Sequence, residues 1–306
     1  VMARYQGHVT VFRAVIPWTQ TSDSAKTVAW PEPRNVIDEA VFAKLRSLGI
    51  PVSAPCDDAS YLRRVTLDIA GRLPTLAEIE EFAADASPNR RAALLDRLLA
   101  SDDYASFFAS KWSAILRNQR SSEQSQFGAW VFYEWIRESL AANKSYDQFV
   151  REIVTASGSV ASNPPVVWYR QVPDQAERAE DAAQLFLGQR IRCARCHHHP
   201  YEKWSQRDYT HMSAFFAGVV RKEDLGPTDP AFASQVGLAT APHPKTGEPL
   251  PPAGLDGPVV DIGPTDDPRA HLVDWMVQDN NPFFARSLVN RYWKHFMGRG
   301  LVEPED

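Results

Sequence analysis

The chain contains, over residues 176–201, the stretch AERAEDAAQLFLGQRIRCARCHHHPY. Residues 176–191 have apolar side chains at helical spacing, which predicts a helix that runs directly into two closely spaced cysteines. Cys193 and Cys196 are separated by two residues, and His197 follows the second cysteine at once. Positions i, i+3 and i+4 of a helical turn share one face, so we expect these three side chains to point the same way.

The Cys-x-x-Cys-His spacing is the recognised signature of c-type haem attachment. Cys193 and Cys196 would bond to the two vinyl-derived carbons of one haem c, and His197 would be the proximal iron ligand. The chain has only three cysteines in 306 residues, so a chance pairing at this spacing next to a histidine is rare. The sequence therefore predicts one covalent haem at these three residues.

Two other chemistries use the same residues and remain open. A zinc ion could take Cys193, Cys196 and the neighbouring histidines, but a structural zinc site usually needs a second ligand pair, and the sequence has none at the usual spacing. A redox dithiol of the thioredoxin type would follow a strand and open a helix, whereas a helical pattern precedes these cysteines. The third cysteine, Cys56, is expected to be a buried free thiol.

The sixth iron position decides between electron transfer and catalysis, because methionine or histidine closes it while an open position admits small ligands. The candidates for this ligand, or for a second metal site, are Met212, His211, His243, His295 and His199. Met212 and His211 lie on a helix predicted after the motif, and His295 lies on the last predicted helix. His243 is in a proline-rich loop, and His199 precedes a proline that should end the motif helix. The sequence does not choose among them, and it leaves open whether the protein is an enzyme.

Composition indicates a folded, mildly acidic chain. Hydrophobic residues make up 44% of it, the formal net charge is -5 and the pI is near 5.9. Such a chain has no basic field to attract nucleic acid, so nucleic-acid binding is not expected. No stretch approaches the roughly 20 apolar residues of a spanning helix, so no membrane span is expected in this segment.

The sequence pattern predicts a mainly α fold: an irregular multi-helix bundle around a c-type haem, with a short N-terminal β hairpin. Five parts follow one another: strands at 1–17, a linker at 18–34, a helical domain at 35–220, a Pro/Gly-rich covering loop at 221–265 and two further helices at 266–306. Aromatic residues are dense at 102–118 and 127–142, and we interpret them as core, although such density also suits a cofactor pocket.

Several sections resemble a known family. Residues 186–201, within FLGQRIRCARCHHHPY, and residues 62–75, LRRVTLDIAGRLPT, resemble the planctomycete-type cytochrome c-like domain of unknown function, with its C-x-x-C-H-x-H-P signature. Residues 281–293, NPFFARSLVNRYW, and 298–302, GRGLV, look like the start of its usual companion domain. Residues 1–17 are similar to the closing strands of a bacterial immunoglobulin-like domain. Both ends of the segment look cut, so a signal peptide is not expected in it.

The resemblance implies a large exported protein of the periplasm or cell envelope, where haem is attached to such motifs. Its partners would be a redox partner protein or flanking domains of the same chain. It implies no known reaction, so an electron-transfer or redox role has two alternatives: a haem enzyme with open iron coordination, and a zinc-stabilised interaction module without redox activity. His198 departs from the family pattern, in which an acidic residue is frequent at that position.

Overall fold

The computed structural model describes residues 2–5, 8–11, 30–120, 123–222, 231–234 and 236–304. The chain divides into two compact units, Val1–Ser60 and Tyr61–Asp306. Most of the predicted linker at 18–34 lies outside the described residues, and the assignment of residues 1–17 to an immunoglobulin-like domain remains a prediction.

The described part of the chain is mainly helical, with twelve α-helices and six short strands. The helices are α1 (Val36–Leu48), α2 (Asp58–Ala70), α3 (Leu76–Ala84), α4 (Arg90–Leu99), α5 (Asp102–Ile115), α6 (Glu123–Ala141), α7 (Tyr146–Val154), α8 (Val167–Gln171), α9 (Gln175–Leu187), α10 (Gln206–Ala214), α11 (Pro268–Met276) and α12 (Phe284–Met297). The strands form three antiparallel pairs, β1 (Met2–Tyr5) with β2 (His8–Val11), β3 (Val219–Lys222) with β4 (Ala231–Ser234), and β5 (Ala241–Pro242) with β6 (Pro249–Leu250).

Local sequence signals fix several helix ends. The Thr75 side chain accepts from the Glu78 backbone N–H while the Glu78 carboxylate accepts from the Thr75 N–H, a complete capping box at the start of α3. At the other end of a helix, Gly49 adopts the left-handed conformation with φ 68° and stops α1. Helices α2, α3 and α4 then bury a small apolar cluster that includes Leu62, Phe82 and Leu94.

The main core is aromatic and lies among α5 to α12. Its largest fully buried rings come from α6, α8, α9 and the residues that follow α10: Trp168, Tyr169, Phe132, Phe186, Phe215 and Phe216. Rings of this size bury the most apolar area per residue and dominate the stability of such a core. Helix α9 packs against both α10 and α12, so it lies at the centre of the second unit.

Much of the loop predicted at 221–265 packs closely on the helices. Pairing of β5 with β6 places this segment against α10. Further along, a Cβ at Gly254 would approach the Trp275 ring to 2.3 Å, so only glycine lets the backbone lie on that side chain. In the described part of the chain, no helix combines the length and apolar character that a membrane crossing requires.

Candidate functional site

Helix α9 leads toward the cysteine motif but stops before it. The Asp174 carboxylate caps its N-terminus, and Gly188, with φ 63°, ends it in the left-handed conformation. Residues 188–191 then have no helical structure, and a separate 3-10 turn begins at Arg192. The prediction that this helix runs directly into the cysteines is therefore wrong, because the glycine cap ends the helical hydrogen-bond pattern four residues early.

The three motif side chains nonetheless lie on one turn. The backbone N–H groups of Cys196 and His197 both approach the carbonyl oxygen of Cys193, at 3.4 Å each. Both cysteines are free thiols, exposed to solvent. The turn thus presents two free thiols and an imidazole together at the surface.

Apolar residues between and before the cysteines hold this turn to the core. Ala194 is fully buried and Ile191 almost fully buried. The Ala194 N–H donates to the carbonyl oxygen of Ile191 at 2.8 Å. After the motif, His199 N–H donates to the carbonyl oxygen of Trp204 at 2.8 Å. The Trp204 ring is buried, and its Nε1–H has no hydrogen-bond acceptor in the described part of the chain. The motif turn is therefore tied to the rest of the fold on both sides.

The hydrogen bond of His197 fixes which ring nitrogen carries the proton. Its Nδ1 lies 2.7 Å from the backbone carbonyl oxygen of His198. A carbonyl oxygen only accepts, so Nδ1 of His197 is the donor and, in the neutral ring, Nε2 keeps its lone pair. A metal-binding histidine usually has this arrangement, with one nitrogen donating to a backbone oxygen and the other free for the metal.

His199 has the opposite protonation. Its Nδ1 accepts from the backbone N–H of Glu202 at 2.8 Å and of Tyr201 at 3.3 Å. Backbone N–H groups only donate, so Nδ1 holds the lone pair and, in the neutral ring, Nε2 carries the proton. His199 thereby closes the turn that follows the motif, and its free nitrogen is a donor rather than a metal ligand.

Sequence reasoning missed two acidic residues of α9 that serve the site. Glu180 accepts from the Tyr209 hydroxyl at 2.8 Å. It also lies 3.7 Å from the guanidinium of Arg192, which precedes the motif, and 3.8 Å from that of Arg195, which lies between the two cysteines. Burial raises the pKa of Tyr209, with the Glu180 hydrogen bond adding to it, so this hydroxyl remains a donor. The pair of adjacent acids on the helix that leads to the motif was the available signal.

Asp181 is the second of these residues. Its side chain is 1% exposed; Oδ2 accepts from Trp168 Nε1 at 2.8 Å, and Oδ1 lies 2.6 Å from Arg117 Nη2. Burial raises the pKa of this carboxyl group, against the effects of the Trp168 and Arg117 hydrogen bonds. A buried carboxylate with a raised pKa in a cleft is typical of a functional position.

Glu180, Asp181, Cys193 and His199 line one cleft of about 920 Å³. That volume is near the upper end of the roughly 300–1,000 Å³ found for ligand sites. Apolar atoms make up more of its exposed wall than polar atoms, but the lining also includes charged side chains: Glu177, Glu180, Asp181, Glu202, Glu303, Arg117, Arg190 and Arg192. The cleft is large enough for a cofactor-sized ligand, and its wall offers both apolar surface and charged groups.

Two candidates for the sixth ligand lie on α10, as the sequence predicts. Met212 is fully buried in the main core, so its sulfur is enclosed by apolar side chains. His211 is half-buried, and its Nδ1 lies 2.6 Å from the carbonyl oxygen of Pro251, which leaves Nε2 with its lone pair.

The other two candidates are engaged in local structure. His243 accepts at Nδ1 from the N–H groups of Lys245 and Thr246, at 3.3 and 3.4 Å, in the turn between β5 and β6. His295 Nε2 lies 2.8 Å from the carbonyl oxygen of Asp68, and its ring contacts Phe108 at a centroid distance of 5.1 Å. Neither contact involves the motif.

The described residues contain no cluster of further metal ligands. Within them, no group of three His, Cys, Asp or Glu side chains is arranged to hold a metal ion. Cys56 is free of a disulfide, as expected, but it is half-buried rather than buried, because it lies in the irregular segment before α2.

The fold and the site define a mainly helical protein that presents two free cysteines and a histidine on one exposed turn. The chain belongs to the PSCyt2 family, described as a protein of unknown function (DUF1549), which matches residues 36–221, more than half of the chain. Residues 268–306 match PSD1, also described as a protein of unknown function (DUF1553). These are the planctomycete cytochrome c-like domain and its companion. Comparisons with curated proteins and with solved structures gave no match.

Proposed function

We propose that this chain is a c-type haem protein with a redox role inside a larger exported, multidomain protein of the cell envelope. Cys193 and Cys196 would form the two thioether bonds, and His197 would bind iron through Nε2. The observation that carries the proposal is the His197 hydrogen bond to the His198 carbonyl, because it leaves Nε2 unprotonated on the same turn as two exposed thiols.

The surroundings of the motif fit a covalently bound haem in part. The thiols are exposed, and Cys193 lines the adjacent cleft of about 920 Å³, which has the volume of a cofactor site. Cys196 and His197 are not among the residues that line this cleft. When bound, the haem would supply one-electron redox chemistry. The protein's contribution is to hold the turn rigidly through Ala194 and to position two arginines, Arg192 and Arg195, beside it through Glu180.

A second candidate function, a haem enzyme with open iron coordination, is favoured by one specific observation. Met212 is enclosed in the core, and His295 donates to a backbone carbonyl on α2. His199 and His243 each accept backbone hydrogen bonds at Nδ1, so four of the five candidates for the sixth position are committed elsewhere in the fold. An open position binds small ligands, whereas a closed one is suited to electron transfer.

The partners would be flanking domains of the same chain and a separate redox protein. The PSD1 match at residues 268–306 supports a multidomain chain. The segment's acidic charge gives no support to nucleic-acid binding. A periplasmic or envelope location follows from the haem proposal, because the exported compartment is where C-x-x-C-H motifs receive haem.

The test is a pyridine haemochrome spectrum of protein produced with the haem-attachment machinery, after denaturation and washing to remove unbound haem. We expect one covalent haem per chain, none in a Cys193→Ala/Cys196→Ala variant, and one in the matched control Cys56→Ala. Carbon monoxide added to the reduced protein then separates open from closed iron.

The zinc-stabilised module is the outcome that would replace this proposal. If the wild-type chain gains no covalent haem and instead carries one zinc ion per molecule, and if the double cysteine variant lacks that zinc ion, the haem proposal is wrong. The described residues provide no group of three zinc ligands, which is why we place haem first.

A further inference from the structure

A second cavity, of about 400 Å³, lies between α5, the turn from α6 to α7, and α12. We call it the aromatic pocket, and its wall includes the rings of Tyr104, Trp112, Tyr146, Phe149 and Tyr292. It shares no lining residue with the cleft beside Cys193. Because α12 belongs to the PSD1 match and α5 to the PSCyt2 match, both family segments build this pocket.

The wall of the aromatic pocket is held in place by contacts between its own rings. Trp112 Nε1 donates to the Tyr292 hydroxyl at 3.3 Å. The Trp112 ring lies 5.8 Å from Tyr146 and 5.5 Å from Phe149, between centroids, and the Arg291 guanidinium covers it at 5.8 Å. Tyr146 also stacks on Phe284 at 4.9 Å. A wall fixed in this way loses little conformational freedom when a ligand binds.

Three tyrosine hydroxyls of the aromatic pocket keep a proton available. Tyr292 accepts from Trp112, and none of Tyr104, Tyr146 and Tyr292 donates its hydroxyl proton to another group in the described part of the chain. Burial raises the pKa of all three, so they stay neutral donors in the physiological range. Aromatic and apolar surface with a few polar groups is the usual composition of a small-molecule site. The wall here also includes the polar residues Ser139, Asn143 and Ser145.

The charges around the aromatic pocket select against a cation. Electron-rich rings alone would suit a quaternary ammonium group, but Arg291 already covers the Trp112 ring and Lys144 lies in the wall. Lys144 Nζ is paired with Glu152 at 2.5 Å, so its charge is balanced and does not call for an anion. The ligand that suits this pocket is therefore a flat, uncharged ring with an oxygen atom that accepts a hydrogen bond from a tyrosine hydroxyl.

We infer that the aromatic pocket binds a small, uncharged, planar aromatic molecule that carries an oxygen acceptor, of the aryl ketone or phenol class. The ring would stack among Trp112, Tyr146 and Tyr292, and the oxygen would accept from the tyrosine hydroxyls. The inference does not depend on haem, so it is testable in protein with or without the cofactor.

The probe is 4-hydroxyacetophenone, titrated into the full chain and followed by ligand-observed NMR with saturation transfer. We expect saturable binding, and markedly weaker binding of the saturated-ring analogue 4-acetylcyclohexanol, which keeps both oxygens but cannot stack. Failure of 4-hydroxyacetophenone to bind up to its solubility limit, or equal binding of the saturated analogue, would overturn the inference.

Two variants locate the binding. Leu288→Trp fills the pocket from α12 and should abolish binding, while Tyr146→Phe removes a single hydroxyl and should weaken it about three- to ten-fold, the range for loss of one hydrogen bond. The matched control is Tyr133→Phe, because that hydroxyl bonds to the Ser106 carbonyl at 3.4 Å and is outside the pocket. Full affinity in Tyr146→Phe, or an equal loss in Tyr133→Phe, would contradict the assignment even if Leu288→Trp fails to fold.

Discussion

The Arg269 guanidinium, fully buried at the start of α11, donates through Nη1 to the Tyr169 hydroxyl at 3.0 Å and to the Ala156 carbonyl oxygen at 2.7 Å. Its Nη2 lies 2.7 Å from Asp267, which balances the charge. These bonds join residues about a hundred positions apart in sequence, and they cross from the PSD1 match to the PSCyt2 match. The two family segments therefore share one core.

Replacing Arg269 by methionine should destabilise the chain by about 3–5 kcal/mol, because the buried carbonyl and hydroxyl groups lose their donor and Asp267 loses its partner. Urea denaturation measures this as a shift of the unfolding midpoint. The matched control is Arg137→Met, whose guanidinium forms a solvent-screened pair with Glu134 one helical turn away, so the unfolding midpoint should shift little. Equal shifts in the two variants would mean that the Arg269 network adds nothing to stability.

Local signals in the sequence account for several helix ends of this fold, because they act within a few residues. The capping box at Thr75 and Glu78 and the glycine stop at Gly49 are both present. The end of α9 was predicted wrongly, at Ile191. The apolar spacing continues to that residue, but Gly188 adopts the left-handed conformation that ends the helix. Periodicity alone does not distinguish a glycine inside a helix from one that caps it.

Hydrogen-bond partners that are set by the tertiary fold could not be predicted from the sequence. The spacing of Cys193, Cys196 and His197 predicted a shared turn, but not that the His198 carbonyl would set the protonation of the His197 ring. Likewise, the roles of Glu180 and Asp181 depend on Tyr209 and Trp168, which are brought to α9 only by packing. Such partners are set by the tertiary fold rather than by local propensity.

Asp181 should make stability fall as pH rises. Burial raises its folded-state pKa above the unfolded value of about 3.9, so its contribution is fully present below that value and is lost as pH rises through the folded pKa. Asp181→Asn removes this dependence while its side-chain oxygen still accepts from Trp168. We therefore expect the variant to gain stability relative to wild type between pH 4 and 8, measured from urea midpoints.

A control of opposite sign is provided by Asp266. A hydrogen bond from His271 lowers the Asp266 pKa, so this carboxylate stabilises the fold above its unfolded pKa and that contribution is lost as pH falls through the lowered value. Asp266→Asn should therefore lose stability relative to wild type as pH rises. The same trend with pH in both variants would contradict the assignment for Asp181.

Met212 should have no part in binding iron. Because it is fully buried among apolar side chains, Met212→Leu nearly conserves volume and should cost less than about 1.5 kcal/mol. In haem-loaded protein we expect the same absorption spectrum for wild type and variant, and carbon monoxide binding to the reduced form of both. If only the variant bound carbon monoxide, Met212 would be the sixth ligand and the iron of the wild type would be closed.

His199 should matter for the shape of the turn and not for the iron. Its Nδ1 accepts from the N–H groups of Tyr201 and Glu202, so His199→Ala leaves two backbone donors without that acceptor. Asparagine has a side-chain oxygen that accepts from backbone N–H groups two and three residues on, so His199→Asn should restore the turn. Amide hydrogen exchange at residues 201 and 202 should be faster in His199→Ala and near wild type in His199→Asn. The haem spectrum should be the same in all three proteins, and a spectral change in His199→Asn despite slow exchange would instead assign His199 to the iron.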